Sequence, residues 1–134
     1  MIVDSSAIVA IWDEEPTKQA LSKVLLGAER ALMSAATYVE MSVVIDNRSR
    51  PDRSRKLDNM LKAYGIEFVP FTPSQATIAR AAYRDFGKGS GHPAHLNMGD
   101  CYSYALATEM DEPLLFVGDD FTHTDITPAW RPAA

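Results

Sequence analysis

Residues 1–12 read MIVDSSAIVAIW, and the place of Asp4 in that stretch decides the fold. The first three residues are short and apolar throughout, as in a strand buried on both faces. An acid, two hydroxyls and a second apolar run follow without a break. Asp4 or Ser5 would cap a helix, because either side chain accepts from the orphan N–H groups of a first turn. The same position is the carboxyl end of a central parallel strand, where open α/β sheets gather their ligands. Whether the strand-then-helix unit recurs along the chain separates an isolated cap from a sheet edge.

It recurs. Residues 6–13 read as a short helix, and Pro16 opens a second one in the place where a missing N–H costs nothing, with Gly27 ending it. Residues 31–34 form a strand, 35–47 a helix, and 51–64 a further helix closed by Gly65. IEFVPF at 66–71 is the clearest strand, with Pro70 marking its end or an edge. TPSQ at 72–75 opens a helix running to 86, with Thr72 as cap, Pro73 in the first turn and Gln75 as a return donor. GKGSGHPAHLN at 87–97 is a glycine-rich loop without the Gly-Lys-Ser/Thr ending of a phosphate-binding loop. Residues 99–110 are helical, 114–117 a strand, and 126–130 a last strand in an irregular tail. The alternation predicts an α/β fold with a central parallel sheet flanked by helices on both faces. A fold class of this kind names no activity.

The 134 residues make one domain, spanning 1–134, with enough length for a substantial core. A content of 46% hydrophobic and 23% charged residues is that of a folded globular chain. No apolar run approaches the roughly 20 residues of a membrane span. No signal-peptide pattern is present, and a single cysteine, Cys101, suits a reducing compartment, so the expected location is the cytoplasm. The net charge of −5 is unusual for a nucleic-acid binder, but it averages over an asymmetry. Arg48, Arg50, Arg53, Arg55, Lys56 and Lys62 crowd one segment, and Arg80, Arg84 and Lys88 follow. Residues 99–125 hold Asp100, Glu109, Asp111, Glu112, Asp119, Asp120 and Asp125 with no Lys or Arg. A basic flank beside an acidic cluster fits a backbone-binding surface next to a metal pocket, or an ordinary solvated helix face.

Four acids carry the chemistry. Glu40 has Ala36, Thr37, Val43 and Val44 as helical neighbours. It is therefore expected to face inward from an apolar stripe, where an unpaired carboxylate is costly. Asp100 stands in the first turn of its helix, with Asn97 available as cap; acids favour that place for reasons of helix dipole alone. Asp119 and Asp120 follow the strand LLFV in a GDD turn, which by itself is weak. In a parallel sheet, however, strand ends and the following helix starts converge on one edge. Asp4, Asp100 and Asp119 fall there, and Glu40 faces it. Acids that meet repel one another unless a cation neutralises them. All-oxygen ligands select Mg²⁺ or Mn²⁺ over zinc, and such a site hydrolyses phosphodiesters.

DSSAIVAI, the inward Glu40, LNMGDCYSYALA and PLLFVGDDFTHTDI together resemble a PIN domain, of the VapC type of ribonuclease toxins. The likeness runs over essentially the full chain, and the last two stretches are similar to those of actinobacterial members. It implies four acids holding Mg²⁺ or Mn²⁺ and endonucleolytic cleavage of RNA. Asp4, Glu40 and Asp100 fall on the first three acids, and Asp119 is assigned the fourth with Asp120 adjacent. Ser6 falls where the family keeps a hydroxyl supporting the first acid or its metal shell. Two departures stand out: Ser5 replaces the usual threonine, and Val117 stands where many relatives have a lysine before the final Gly-Asp. The resemblance also implies a homodimer neutralised by a VapB-type antitoxin, as a heterotetramer or larger. Arg48, Arg50, Arg53, Arg55, Lys88 and His123 are then candidates for contact with RNA or antitoxin.

Three other readings compete. Metal-free cleavage by two histidines would draw on His92, His95 and His123, all in loops without predictable mutual geometry. A phosphoryl-accepting signalling domain needs a lysine after a late strand, and residues 99–125 have none. An interaction module derived from the same fold would have lost an acid, and none is missing.

Overall fold

The computed structural model describes residues 1–48 and 50–133. Four parallel strands carry the fold: β1 (Ile2–Val3), β2 (Ala31–Ser34), β3 (Ile66–Val69) and β4 (Leu114–Leu115), in the order β3-β2-β1-β4. The first strand in the chain is thus internal, with Ile2 opposite Leu32 on one side and Leu114 on the other. Six helices fill the connections: α1 (Ser5–Trp12), α2 (Lys18–Gly27), α3 (Ala35–Arg48), α4 (Pro51–Ala63), α5 (Pro73–Phe86) and α6 (Met98–Met110).

Strand side chains alternate between two cores. Val3, Ala31, Met33 and Leu115 pack beneath α1 to α4, with Ile8, Leu21, Met41, Ile45 and Leu57. Ile2, Leu32, Leu114 and Phe116 face the opposite way, against Ala79 and Ala82 of α5 and Ala105 and Leu106 of α6. Parallel strands covered on both faces favour apolar residues at every position, which is why β1 and residues 31–33 of β2 are apolar; the buried Ser34 at the end of β2 accepts from the Ala36 N–H. Each of the fully buried aliphatic side chains contributes roughly 1.5–3 kcal/mol of transfer free energy. β3 is one of the two edges, and there Glu67 and Phe68 are exposed.

The boundaries of the elements that form hold to within two residues, the largest differences being the start of α2 and the ends of β3 and β4. Pro16 lies in a turn ahead of α2, where Glu14 takes a φ of 54° and the Lys18 N–H donates to the Glu15 carbonyl, so the helix begins at Lys18. Thr72 caps α5 as expected, accepting from the Gln75 N–H at 3.2 Å. Gln75 does not return the bond to the cap. Its Nε2 donates to the Pro70 carbonyl at 3.2 Å, tying the helix start to the end of the edge strand. No strand forms at 126–130 among the described residues. The chain there makes one bridge, Leu114 with Pro128, and the proline has no N–H with which to extend a ladder.

Candidate functional site

Asp4 occupies both positions that the opening stretch allowed. It ends an internal strand and caps α1, with Oδ2 accepting from the Ser6 N–H at 3.0 Å. Its other oxygen, Oδ1, accepts from the Ser103 hydroxyl at 2.5 Å, and the Ser103 and Thr37 hydroxyls lie 3.4 Å apart. Asp4 is only 2% exposed. A buried carboxylate with both oxygens bonded is held in one orientation. The Ser6 hydroxyl accepts from the Val117 N–H at 3.0 Å, so it fixes the segment after β4 against α1.

Asp100 arrives from the opposite core. Asn97 and Asp100 form a reciprocal capping box at the start of α6: the Asp100 N–H donates to Asn97 Oδ1 at 2.8 Å, and the Asn97 N–H donates to Asp100 Oδ2 at 3.0 Å. Asp100 is 8% exposed. Burial pushes its carboxyl group up to about 7; the bond from Asn97 opposes that, and the charges of Asp4, Asp120 and Glu40 add to it. The charges of Asp4, Glu40 and Asp120 thus all act on Asp100 at the carboxyl edge of the sheet.

Glu40 reaches that edge differently from expectation. α3 buries Thr37, Met41 and Ile45, so its inward stripe is 37/41/45. Glu40 lies outside this stripe and is itself exposed, as are Val39, Val43 and Val44 beside it, so the inward-facing placement expected from the sequence is not met. Its carboxylate lies against the backbone of Gly99, in the space that a Cβ on that residue would occupy. Desolvation at this contact, and then the Asp4 charge, raise its pKa above the usual carboxylate value.

Asp119 and Asp120 part company in the turn after β4, where Gly118 has a φ of +99°. The charge of Asp120 acts on Asp100. Asp119 lines a cleft of about 610 Å³ with Thr17, Thr122, Thr124, Trp130 and Arg131. Its carbonyl accepts from the Thr122 hydroxyl at 2.6 Å.

The basic residues lie on the surface. Arg48 is 3.7 Å from Asp13, Arg50 is 3.5 Å from Asp52, and the Arg53 guanidinium stacks 5.3 Å from the Trp12 ring centroid. Arg55, Lys88 and His123 are exposed. His92 serves its own loop, where Nδ1 accepts from the Ala94 N–H and the ring meets Phe86 edge-on. Cys101 is buried, and burial followed by the Asp100 charge pushes its thiol up to about 12, which makes it a poor nucleophile.

Two residues at the site escaped the sequence reading. Ser103 follows Asp100 by three, the spacing that puts both on one helix face, and Thr37 precedes Glu40 by three. That spacing was the available signal. Among the described residues no three His, Cys, Asp or Glu side chains stand at metal-ligating spacing. The donor set still fits a hard divalent cation, since carboxylate oxygens are its preferred ligands. Burial lifts Asp100 first and the neighbouring carboxylates add to it; a doubly charged ion would oppose both effects. Asp4 and Asp100 are pinned by hydrogen bonds; Glu40, at the margin of its helix, is the side chain with room to adjust.

The family model "PIN domain" matches residues 1–126. Ribonuclease VapC42 of Mycobacterium tuberculosis is 54% identical over 129 residues, covering 96% of this chain and 98% of that protein. Among solved structures, the fold is similar to that of M. tuberculosis VapC20, described as a sarcin-ricin loop cleaving toxin (TM-score 0.73, 12% identity, 98% of both chains). It is also similar to a chain of a toxin–antitoxin complex from Klebsiella pneumoniae (TM-score 0.67, 16% identity, 98% of both chains). The chain belongs to the PIN-domain family and, within it, to the VapC-type ribonucleases.

Proposed function

We propose that this protein is the toxin of a type II toxin–antitoxin pair and cuts RNA endonucleolytically with Mg²⁺ or Mn²⁺. The observation that carries this reading is the convergence on the start of α6: Asp4 is bonded to Ser103, the Glu40 carboxylate lies against Gly99, and Asp100 stands between them in the same helix, under the charges of Asp4, Asp120 and Glu40. Asp4 and Asp100 are the primary ligands. Glu40 and a fourth acid complete the set, directly or through water. A divalent ion bound there lowers the pKa of a water molecule and offsets charge on the phosphoryl oxygens.

The chain's own residues prepare that chemistry. Ser103 and the Ser6 N–H orient Asp4, the Asn97 capping box orients Asp100, and the Ser6 hydroxyl secures the segment leading into the GDD turn. Asp120 is our choice for the fourth acid, because its charge reaches Asp100 whereas Asp119 lines the neighbouring cleft. Asp120→Asn should therefore lower cleavage by about 10- to 100-fold, and Asp119→Asn by less than about threefold. Equal losses in initial-rate assays of the two variants would return Asp119 to the site.

Arg48, Arg50, Arg53, Arg55, Lys88 and His123 supply contacts to the RNA backbone or to a VapB-type antitoxin. The exposed valines of α3 offer apolar surface beside Glu40 to such a partner. The similarity to a chain from a toxin–antitoxin complex supports the pairing. The working assembly is a homodimer, bound by antitoxin as a heterotetramer or larger, acting in the cytoplasm where its RNA lies. No helix among the described residues is long and apolar enough to cross a membrane.

The deciding experiment incubates purified protein with end-labelled RNA, with and without EDTA. Cleavage should stop in EDTA, return with Mn²⁺, and leave 5′-phosphate and 3′-hydroxyl ends. EDTA-resistant cleavage giving 2′,3′-cyclic phosphates would favour acid–base chemistry by histidine instead.

A further inference from the structure

The geometry points to Gly99 as a positioning residue: its missing side chain is the seat of the Glu40 carboxylate. This rests on the reading of Glu40 as a member of the ion-holding set, and it adds how that acid is brought into place. Gly99 is the second residue of α6, and its φ lies outside the left-handed region, so no backbone strain calls for glycine here. Glycine within a helix costs up to about 1 kcal/mol relative to alanine. Propensity therefore argues against the residue found.

Space argues for it. A Cβ built on Gly99 would overlap both oxygens of the Glu40 carboxylate. Gly27, Gly65, Gly89, Gly91 and Gly118 have nothing within 4 Å of such an atom, and at Gly87 the obstacle is chiefly the Tyr83 backbone. At Gly99 the obstacle is a functional group from another helix. The first turn of α6 favours an anion, because its N–H groups and the helix dipole present positive potential there. Absence of a side chain lets Glu40 approach that turn and stand next to Asp100. Any larger residue displaces the carboxylate. Glu40 is long and lies at the margin of α3, so it can swing away at little cost to stability; the loss then falls on the site.

Gly99→Ala should melt in EDTA at or above the wild-type temperature. It should bind Mn²⁺ at least about tenfold more weakly by calorimetry and cut RNA about 10- to 100-fold more slowly. A double-mutant cycle separates positioning from any general effect on the helix. In a Glu40→Ala background the Cβ at position 99 meets no carboxylate, so the Gly99 substitution should change Mn²⁺ affinity and rate by less than about twofold. Equal losses in both backgrounds, or wild-type affinity and rate in Gly99→Ala alone, overturn the inference. A crystal structure of metal-free Gly99→Ala gives an independent answer: the carboxylate should have left the first turn of α6, and its retention there refutes the role. If the wild-type protein neither binds Mn²⁺ nor cuts RNA, the metal reading falls, and the crystal structure still decides the positioning of Glu40.

Discussion

Asp4→Asn is expected to reduce RNA cleavage on the order of 10³-fold while leaving the fold intact. The substitution removes a charge and almost no volume. Its amide oxygen can still accept from the Ser6 N–H, so the α1 cap survives. On the other side, the amide NH₂ meets the Ser103 hydroxyl, which can turn from donor to acceptor because Thr37 lies within reach as a new partner. One of the two amide N–H groups gains no identified partner, at a cost of about 1–3 kcal/mol, so the melting temperature in EDTA should fall by several degrees while the protein stays folded. The variant loses the negative charge at the centre of the cluster and with it the affinity for a divalent ion. Initial rates on a defined RNA, with circular dichroism as the folding check, measure both halves. A folded Asp4→Asn that cuts at the wild-type rate would remove Asp4 from the chemistry.

Asp100→Asn should stabilise the metal-free protein at neutral and alkaline pH and destabilise it relative to wild type once Mn²⁺ is present. In the folded chain Asp100 holds its proton up to about 7, against an ordinary value of 3.8. Between those two pH values the folded state binds more protons than the unfolded one. The stability contributed by this group is therefore complete below about pH 4, falls as pH rises, and is gone above about pH 7. The shift corresponds to at most about 4 kcal/mol. Loss of the charged cap and its interaction with the helix dipole takes back up to about 1 kcal/mol. Urea unfolding in EDTA from pH 4 to pH 8 should give a wild-type curve that slopes downward relative to the variant. Saturating Mn²⁺ should raise the wild type and leave Asp100→Asn almost unmoved, because only the assembled acids bind the ion. Parallel pH curves for the two proteins would show that Asp100 titrates normally and that the cluster is not under charge strain.

Much of this was legible in the sequence, because local signals and the global fold agreed. β2 at 31–34, the Thr72 cap and the Gly65 stop each follow from a pattern within a few residues. Asp4 and Asp100 could be placed because strand ends and helix starts share an edge in any parallel sheet. Glu40 was singled out on the expectation that it faces inward, which the packing of α3 does not bear out. α3 carries two apolar stripes, and the exposed valines at 39, 43 and 44 look the same in sequence as core residues. Only packing reveals that 37, 41 and 45 face inward. The proposal of Asp120 over Asp119 as fourth acid rests on tertiary placement after the left-handed Gly118, which has no periodic signature in the sequence. The seat made by Gly99 is a relation between two helices, which no local pattern contains.

The internal position of β1 bears on how such a protein can be made safely. β1 must wait for Leu114 and Leu115 before its second edge is paired, and Asp4 must wait for Ser103. Pairings this distant in the chain form late. A polypeptide interrupted before β4 leaves one edge of β1 unpaired and lacks Asp119 and Asp120, so on the proposed reading the ability to cut RNA arises only after β4 has been made.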